Sequence, residues 1–171
     1  MTTNLGFAAE IKVALMQEGL PITGVYIPPE SCQHLCVVAT KTPYAGVPFR
    51  IAGRIWSTKS GGFIPRVIVV DEDVDPSNMK EVIHTLSVRS HPKRGTTIVD
   101  NAFNCPLTPF LPVEDRKIGF GAYILHDCTW PKEWKPEHIP PKTSFRTSYP
   151  EELQKKVLSL WGEYGFKNGN P

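Results

Sequence analysis

Arg66-Val67-Ile68-Val69-Val70-Asp71-Glu72-Asp73-Val74-Asp75-Pro76, continuing into Ser77-Asn78-Met79-Lys80-Glu81-Val82-Ile83, reads as a strand, a turn and a helix in immediate succession. An unbroken β-branched run suits a strand buried on both faces, and the acidic cluster marks where that strand emerges. Asp75 followed by Pro76 has the form of an N-cap with proline at the first helical position, which predicts a helix over Asp75 to Arg89. Met79, Val82, Ile83 and Leu86 then recur on one helical face. Such a unit belongs to a layered α/β domain, whose ligands gather at the carboxyl ends of parallel strands.

Upstream, the order of Leu5, Ala8, Ile11 and Leu15 with Ala9 and Val13 predicts an amphipathic helix from Leu5 to Glu18, ended by Gly19. Ile22 to Ile27 and Leu35 to Thr40 read as strands, the first closed by Pro28-Pro29. Ala45 to Ser57 reads as a helix that offers Val47, Ile51, Ile55 and Trp56 to a core. Downstream, His91 to Gly95 is a turn and Thr96 to Val99 is extended. Asn104 to Phe110 and Trp130 to Pro141 are proline-rich loops around one more strand, Gly121 to His126, because proline lacks the backbone donor. Pro150 to Tyr164 has Leu153, Val157, Leu160 and Trp161 on one side and reads as a terminal helix that docks on another surface, such as a second protomer.

With 171 residues and 40% hydrophobic content, the chain is long enough for one sizeable core. The expected organisation is a domain over 1–135 and a proline-rich arm with a docking helix over 136–171. A net charge of +2 from 19 basic and 17 acidic side chains makes no patch for a phosphate backbone, so nucleic acid is not an expected partner. No window approaches the roughly 20 apolar residues that cross a bilayer, and the N-terminus has neither the basic start nor the apolar block of a secretory signal. The expected compartment is the cytoplasm, where four cysteines are reduced thiols rather than a disulfide framework.

Three constellations could carry chemistry. Cys32, His34 and Cys36 offer zinc ligands that His126 and Cys128 could complete, although the spacing is not a paired C-x-x-C pattern; otherwise Cys36 and Cys128 are small buried strand residues. Asp71, Glu72, Asp73 and Asp75 could hold a hard cation, yet a calcium loop counted from Asp71 would need glycine at Pro76 and glutamate at Val82. The bland reading is a capped, solvated turn. Thr58-Lys59-Ser60-Gly61-Gly62 has the composition of an anion-binding loop, but its glycines follow the lysine and a strand follows the glycines, so on its own it reads as a flexible connection. His84 and His138 read as surface residues, and no nucleophile stands in a strand-turn-helix elbow.

Taken together, several blocks resemble one family. Ala9-Glu10 through Gly19-Leu20-Pro21, Val25-Tyr26-Ile27-Pro28-Pro29-Glu30, Val37-Val38-Ala39-Thr40-Lys41 and Val67 through Pro76 are similar, in this order, to the C-terminal domain of UbiD-type decarboxylases. So are Leu86-Ser87-Val88-Arg89, Pro106-Leu107-Thr108-Pro109 and Tyr123-Ile124-Leu125-His126-Asp127-Cys128-Thr129. The resemblance runs over about residues 8 to 132 and is loose beyond 140.

It implies a three-layer αβα sandwich with a mixed or largely parallel sheet. It also implies part of a reversible, nonoxidative decarboxylase that uses prenylated flavin mononucleotide (prenylated FMN). In that family the flavin, its divalent metal and potassium, and a glutamate-arginine-glutamate catalytic set lie in the larger N-terminal part, which no segment here matches. The domain seen here closes the substrate side of the cleft and contributes to dimerisation. It is therefore expected to be inactive alone, with no cofactor of its own, as a fragment or a separate subunit.

The implied partners are a flavin-binding N-terminal domain, a small aromatic, heteroaromatic or unsaturated carboxylic acid, and a second copy of the chain. Position by position, Lys59 matches a lysine beside the active site, and Phe63, Cys105 and Leu107 match pocket-wall positions. Cys105 replaces the phenylalanine of cinnamate-type members, which favours a hydroxylated or heteroaromatic acid. The competing classes are a noncatalytic dimerisation or regulatory module and a metal- or nucleotide-binding domain using Asp71 to Asp75.

Overall fold

The apolar run at Arg66–Asp71 is the middle strand of a five-stranded sheet in the computed structural model, which describes residues 2–141, 143 and 145–165. In chain order the elements are α1 (Thr2–Gln17), β1 (Ile22–Tyr26), β2 (Leu35–Thr40), α2 (Val47–Trp56), β3 (Arg66–Asp71), α3 (Met79–Arg89), β4 (Thr96–Phe103), α4 (Val113–Ile118) and β5 (Phe120–Cys128). These lie in one compact unit, Met1–Glu133. A second unit, Trp134–Pro171, holds α5 (Phe145–Ser148) and α6 (Glu151–Ser159), where Leu153 is exposed and Val157, Leu160 and Trp161 are half-buried. Among the described residues no helix is long and apolar enough to cross a membrane.

The sheet order is β1-β2-β3-β5-β4. β2, β3 and β5 are parallel, with Val38 opposite Val69 and Val69 opposite Asp127, while the two edge strands run antiparallel to their neighbours. Alternation along the strands divides the core in two. Cys36, Val38, Val67, Val69 and Leu125 face Ile11 and Leu15 of α1 and Ile51 and Ile55 of α2. Val37, Ala39, Ile68, Val70 and Cys128 face Val82 of α3. Val67 to Val70 are at most 5% exposed, so β3 is buried on both faces, and the three layers are those of an αβα sandwich.

Two local expectations are corrected. The helix after β3 starts at Met79 rather than Asp75: Asp75 Oδ1 accepts from the Ser77 N–H (2.9 Å) and hydroxyl (2.7 Å), and Asn78 is the N-cap, accepting from the Glu81 N–H at 3.4 Å. Ile83 does not join the core face and is 58% exposed; the buried α3 positions are Val82 and Thr85. The short helix α4 and the extension of β4 to Phe103 were not apparent from periodicity, since α4 buries no residue.

Candidate pocket wall and its surroundings

The four pocket positions expected from the sequence belong to two connections at the amino ends of β3 and β5. The first joins α2 to β3. Its Thr58-to-Gly62 loop is tied at both ends by hydrogen bonds. The Thr58 hydroxyl donates to the Ile55 carbonyl (2.6 Å), the Gly61 N–H donates to the Thr58 carbonyl (3.0 Å), and buried Ser60 donates to Glu10 Oε2 of α1 (2.5 Å). Lys59 projects from this tied loop as an exposed cation, with no acidic partner recorded among the described residues. Phe63 is half-buried against Phe7 of α1, ring centroids 5.7 Å apart.

The second connection leaves β4 at Phe103. The Asn104 N–H donates to the Gly119 carbonyl (2.9 Å), and the Cys105 N–H donates to the Gly62 carbonyl (2.8 Å), which joins the two loops directly. Cys105 is 7% exposed, its sulfur accepts from the Leu107 N–H at 3.5 Å, and Leu107 itself is 77% exposed. Lys59, Phe63, Cys105 and Leu107 therefore stand on one pair of bonded loops. Behind them Trp56 stacks on Tyr123 (4.8 Å, 18°) and donates to the Ile64 carbonyl (3.1 Å), while the Tyr123 hydroxyl donates to the Phe103 carbonyl. Burial pushes the Tyr123 phenol up, so it stays protonated and a donor.

Phe103 was not singled out by sequence reasoning. The residue is 62% exposed although its backbone is pinned. A Cβ at Gly62 would lie 2.7 Å from its Cε1, and one at Gly119, which has φ 68°, would lie 2.8 Å from its Cε2. A side chain at either position would push the phenyl from this place, and at Gly119 the positive φ also favours glycine. Gly62 lies 41 residues before Phe103 and Gly119 16 residues after it, so no local pattern in the sequence pointed to this contact.

At the carboxyl end of the sheet, where ligands were expected, the acidic side chains are engaged by neighbouring groups. Asp71 accepts from the Thr42 hydroxyl (2.9 Å) and the Trp130 N–H (2.8 Å), tying the loops that follow β2 and β5. Asp73 forms a two-pronged pair with Arg89 (2.9 and 2.7 Å), Glu72 lies 3.6 Å from Lys41, and Asp75 closes its own turn. Asp71, Asp73 and Asp75 are thus engaged within the fold, while Glu72 makes a solvated surface pair. Cys36 and Cys128 are the small buried strand residues of the alternative reading, in cores on opposite faces of the sheet, and cannot share one zinc ion. Burial raises both thiols to about 12. His84 and His138 are exposed, and His34 Nδ1 pairs with the Cys32 carbonyl at 2.7 Å.

No group of three or more His, Cys, Asp or Glu side chains among the described residues could hold a metal. A cavity of about 450 Å³ beside β4 and β5 has Asp100 and Asp115 in its lining. Two aspartates in that lining do not suit a flavin phosphate there, and no chemical step is assigned to the flavin or its metal within this chain.

The five-stranded mixed sheet with helices on both faces has counterparts among known proteins. The family described as 3-octaprenyl-4-hydroxybenzoate carboxy-lyase C-terminal domain matches residues 2–128. Pyrrole-2-carboxylic acid decarboxylase of Pseudomonas aeruginosa is 26% identical over 167 residues, covering 93% of this chain and 34% of that protein. Vanillic acid decarboxylase of Sedimentibacter hydroxybenzoicus, in its open form, superposes with a TM-score of 0.69 at 26% identity over 93% of this chain and 33% of that one. The UbiD-class enzyme HmfF from Pelotomaculum thermopropionicum, in complex with FMN, shares the fold at a TM-score of 0.72 and 18% identity, over 88% of this chain and 32% of that one. The chain thus spans about a third of the length of these relatives. By the match over residues 2–128, this chain belongs to the UbiD C-terminal domain family, a family of decarboxylase domains.

Proposed function

We propose that this chain forms the substrate-side wall of a cytoplasmic, homo-oligomeric UbiD-type decarboxylase. The flavin-binding N-terminal segment supplies prenylated FMN with its divalent metal and potassium, and the proton donor. The observation that carries this reading is the 2.8 Å bond from the Cys105 N–H to the Gly62 carbonyl, which holds the Lys59–Phe63 loop against the Cys105–Leu107 loop. Loss of carbon dioxide leaves an electron pair on carbon that must be stabilised and then protonated. Residues 58–63 and 103–108 include no aspartate, glutamate or histidine, so their contribution is shape and charge. Lys59 attracts the carboxylate at the cleft mouth or fixes the loop when the domains close, and neither role requires a proton transfer.

The wall suits an aromatic or heteroaromatic acid. Cys105 is smaller and more polar than phenylalanine, which leaves room for a ring hydroxyl or a heteroatom. The relatives are named for pyrrole-2-carboxylic acid and vanillic acid, and both are planar acids of this kind.

The test is carbon dioxide release from pyrrole-2-carboxylate, vanillate and cinnamate. The chain alone is expected to release none, and the flavin-loaded assembly is expected to decarboxylate the first two in preference to cinnamate. Lys59→Met is expected to lower kcat/KM about ten-fold, the order of effect of losing one charge-assisted contact. Release by the flavin-free chain, or turnover of cinnamate alone, would overturn the reading.

A further inference from the structure

We propose that Phe103 is a substrate-recognition residue of this pocket, presenting a fixed aromatic surface on which the planar ring of the acid stacks. The inference rests on the decarboxylase reading above and adds to it the feature that selects a flat ring over a saturated one. Three observations carry it.

Phe103 is 62% exposed at the junction of the two loops that bear Lys59, Phe63 and Cys105. The opposite edges of its ring rest on two glycines. A Cβ at Gly62 would come within 2.7 and 3.0 Å of Cε1 and Cδ1, and one at Gly119 within 2.8 and 2.9 Å of Cε2 and Cδ2. Its backbone is held by the Tyr123 hydroxyl on the Phe103 carbonyl and by the Asn104 N–H on the Gly119 carbonyl (2.9 Å).

An ordinary surface phenylalanine swings between rotamers, whereas this one is seated on both sides. An aromatic ring that meets it loses little further side-chain freedom and gains offset stacking. The turn that seats the ring at Gly62 also carries Lys59 three residues earlier, so one small region offers a plane for the ring and a cation for the carboxylate.

The experiment measures binding of benzoate and cyclohexanecarboxylate to the flavin-loaded assembly by titration calorimetry, for the unaltered chain and for Phe103→Leu and Phe103→Tyr. Affinity for the flavin-binding partner and steady-state kinetics with an aromatic acid are measured in parallel. Phe103→Leu is expected to weaken benzoate roughly two- to twelve-fold, the span that one aromatic pair contributes beyond its buried area. It should move cyclohexanecarboxylate less than two-fold, raise KM with kcat held, and leave partner affinity unchanged. Phe103→Tyr should restore benzoate binding.

Equal losses for both acids would make the ring a volume filler, and a loss of partner affinity would assign it to a protein interface; either result overturns the inference. So would unchanged benzoate binding in Phe103→Leu, or no benzoate binding by the unaltered assembly. An unaltered assembly that binds benzoate but releases no carbon dioxide from any aromatic acid refutes the functional reading instead.

Discussion

The four cysteines show how position decides the chemistry of a single residue type. Cys36 and Cys128 are fully buried on strands, and burial holds both thiols near 12, so neither forms thiolate at neutral pH. Cys32 is exposed in the turn before β2, and Cys105 is nearly buried under its loop. At pH 8 an aromatic disulfide reagent should therefore react quickly with one thiol of the folded chain and with four after denaturation, and Cys32→Ser should remove the fast phase. A second fast thiol would mean that the Asn104-to-Leu107 loop opens in solution. The strand cysteines could be placed from the alternating apolar pattern, but the depth of Cys105 could not. It depends on a hydrogen bond to Gly62, 43 residues earlier in the chain.

At the scale of elements, the β3-to-α3 connection shows why a good local signal was displaced. Asp75-Pro76 has the chemistry of a helix start, and Asp75 does use its carboxylate locally, on Ser77. Pro76 instead packs over Gly24 of β1, where a Cβ would come within 2.8 Å of its Cγ, so the turn continues until Asn78 can cap. The far end of α3 is fastened back to the same turn. Arg89 grips Asp73 with its two terminal guanidinium nitrogens and lies 4.8 Å over the Trp130 ring. Arg89→Ala should destabilise the fold by about 2 kcal/mol in denaturant unfolding, because it removes a two-pronged charged hydrogen bond and a ring contact together. Arg89→Lys should recover less than half of that loss, since an ammonium reproduces neither the fork nor the stack. A loss below 0.5 kcal/mol for Arg89→Ala would show that the pair is solvated and contributes little.

For the whole molecule, the two ends of the sheet differ in how their side chains are engaged. The carboxyl end is tied by Asp71 to Thr42 and Trp130, while the amino end carries the exposed Lys59, Phe103 and Leu107. Both core clusters are built from residues between Ile11 and Cys128. The unit Met1–Glu133 therefore contains a complete core, and a chain ending at Glu133 should keep a single cooperative thermal transition followed by circular dichroism. A broad, non-cooperative melt would show that folding of this unit requires residues beyond 133.

The sequence by itself determined the layered α/β class, the doubly buried middle strand and the family, because β-branched runs, helical periodicity and ordered blocks are local patterns that survive being read in one dimension. It also named Lys59, Phe63, Cys105 and Leu107 as members of one wall, through resemblance alone. Tertiary structure decided that these four residues lie on two bonded loops at the amino end of the parallel strands, that Asp71 ties the loops after β2 and β5, and that Phe103 rests on Gly62 and Gly119. Each of these depends on which distant backbone groups meet, and a hydrogen bond or a close glycine contact between residues tens of positions apart leaves no periodic trace along the chain.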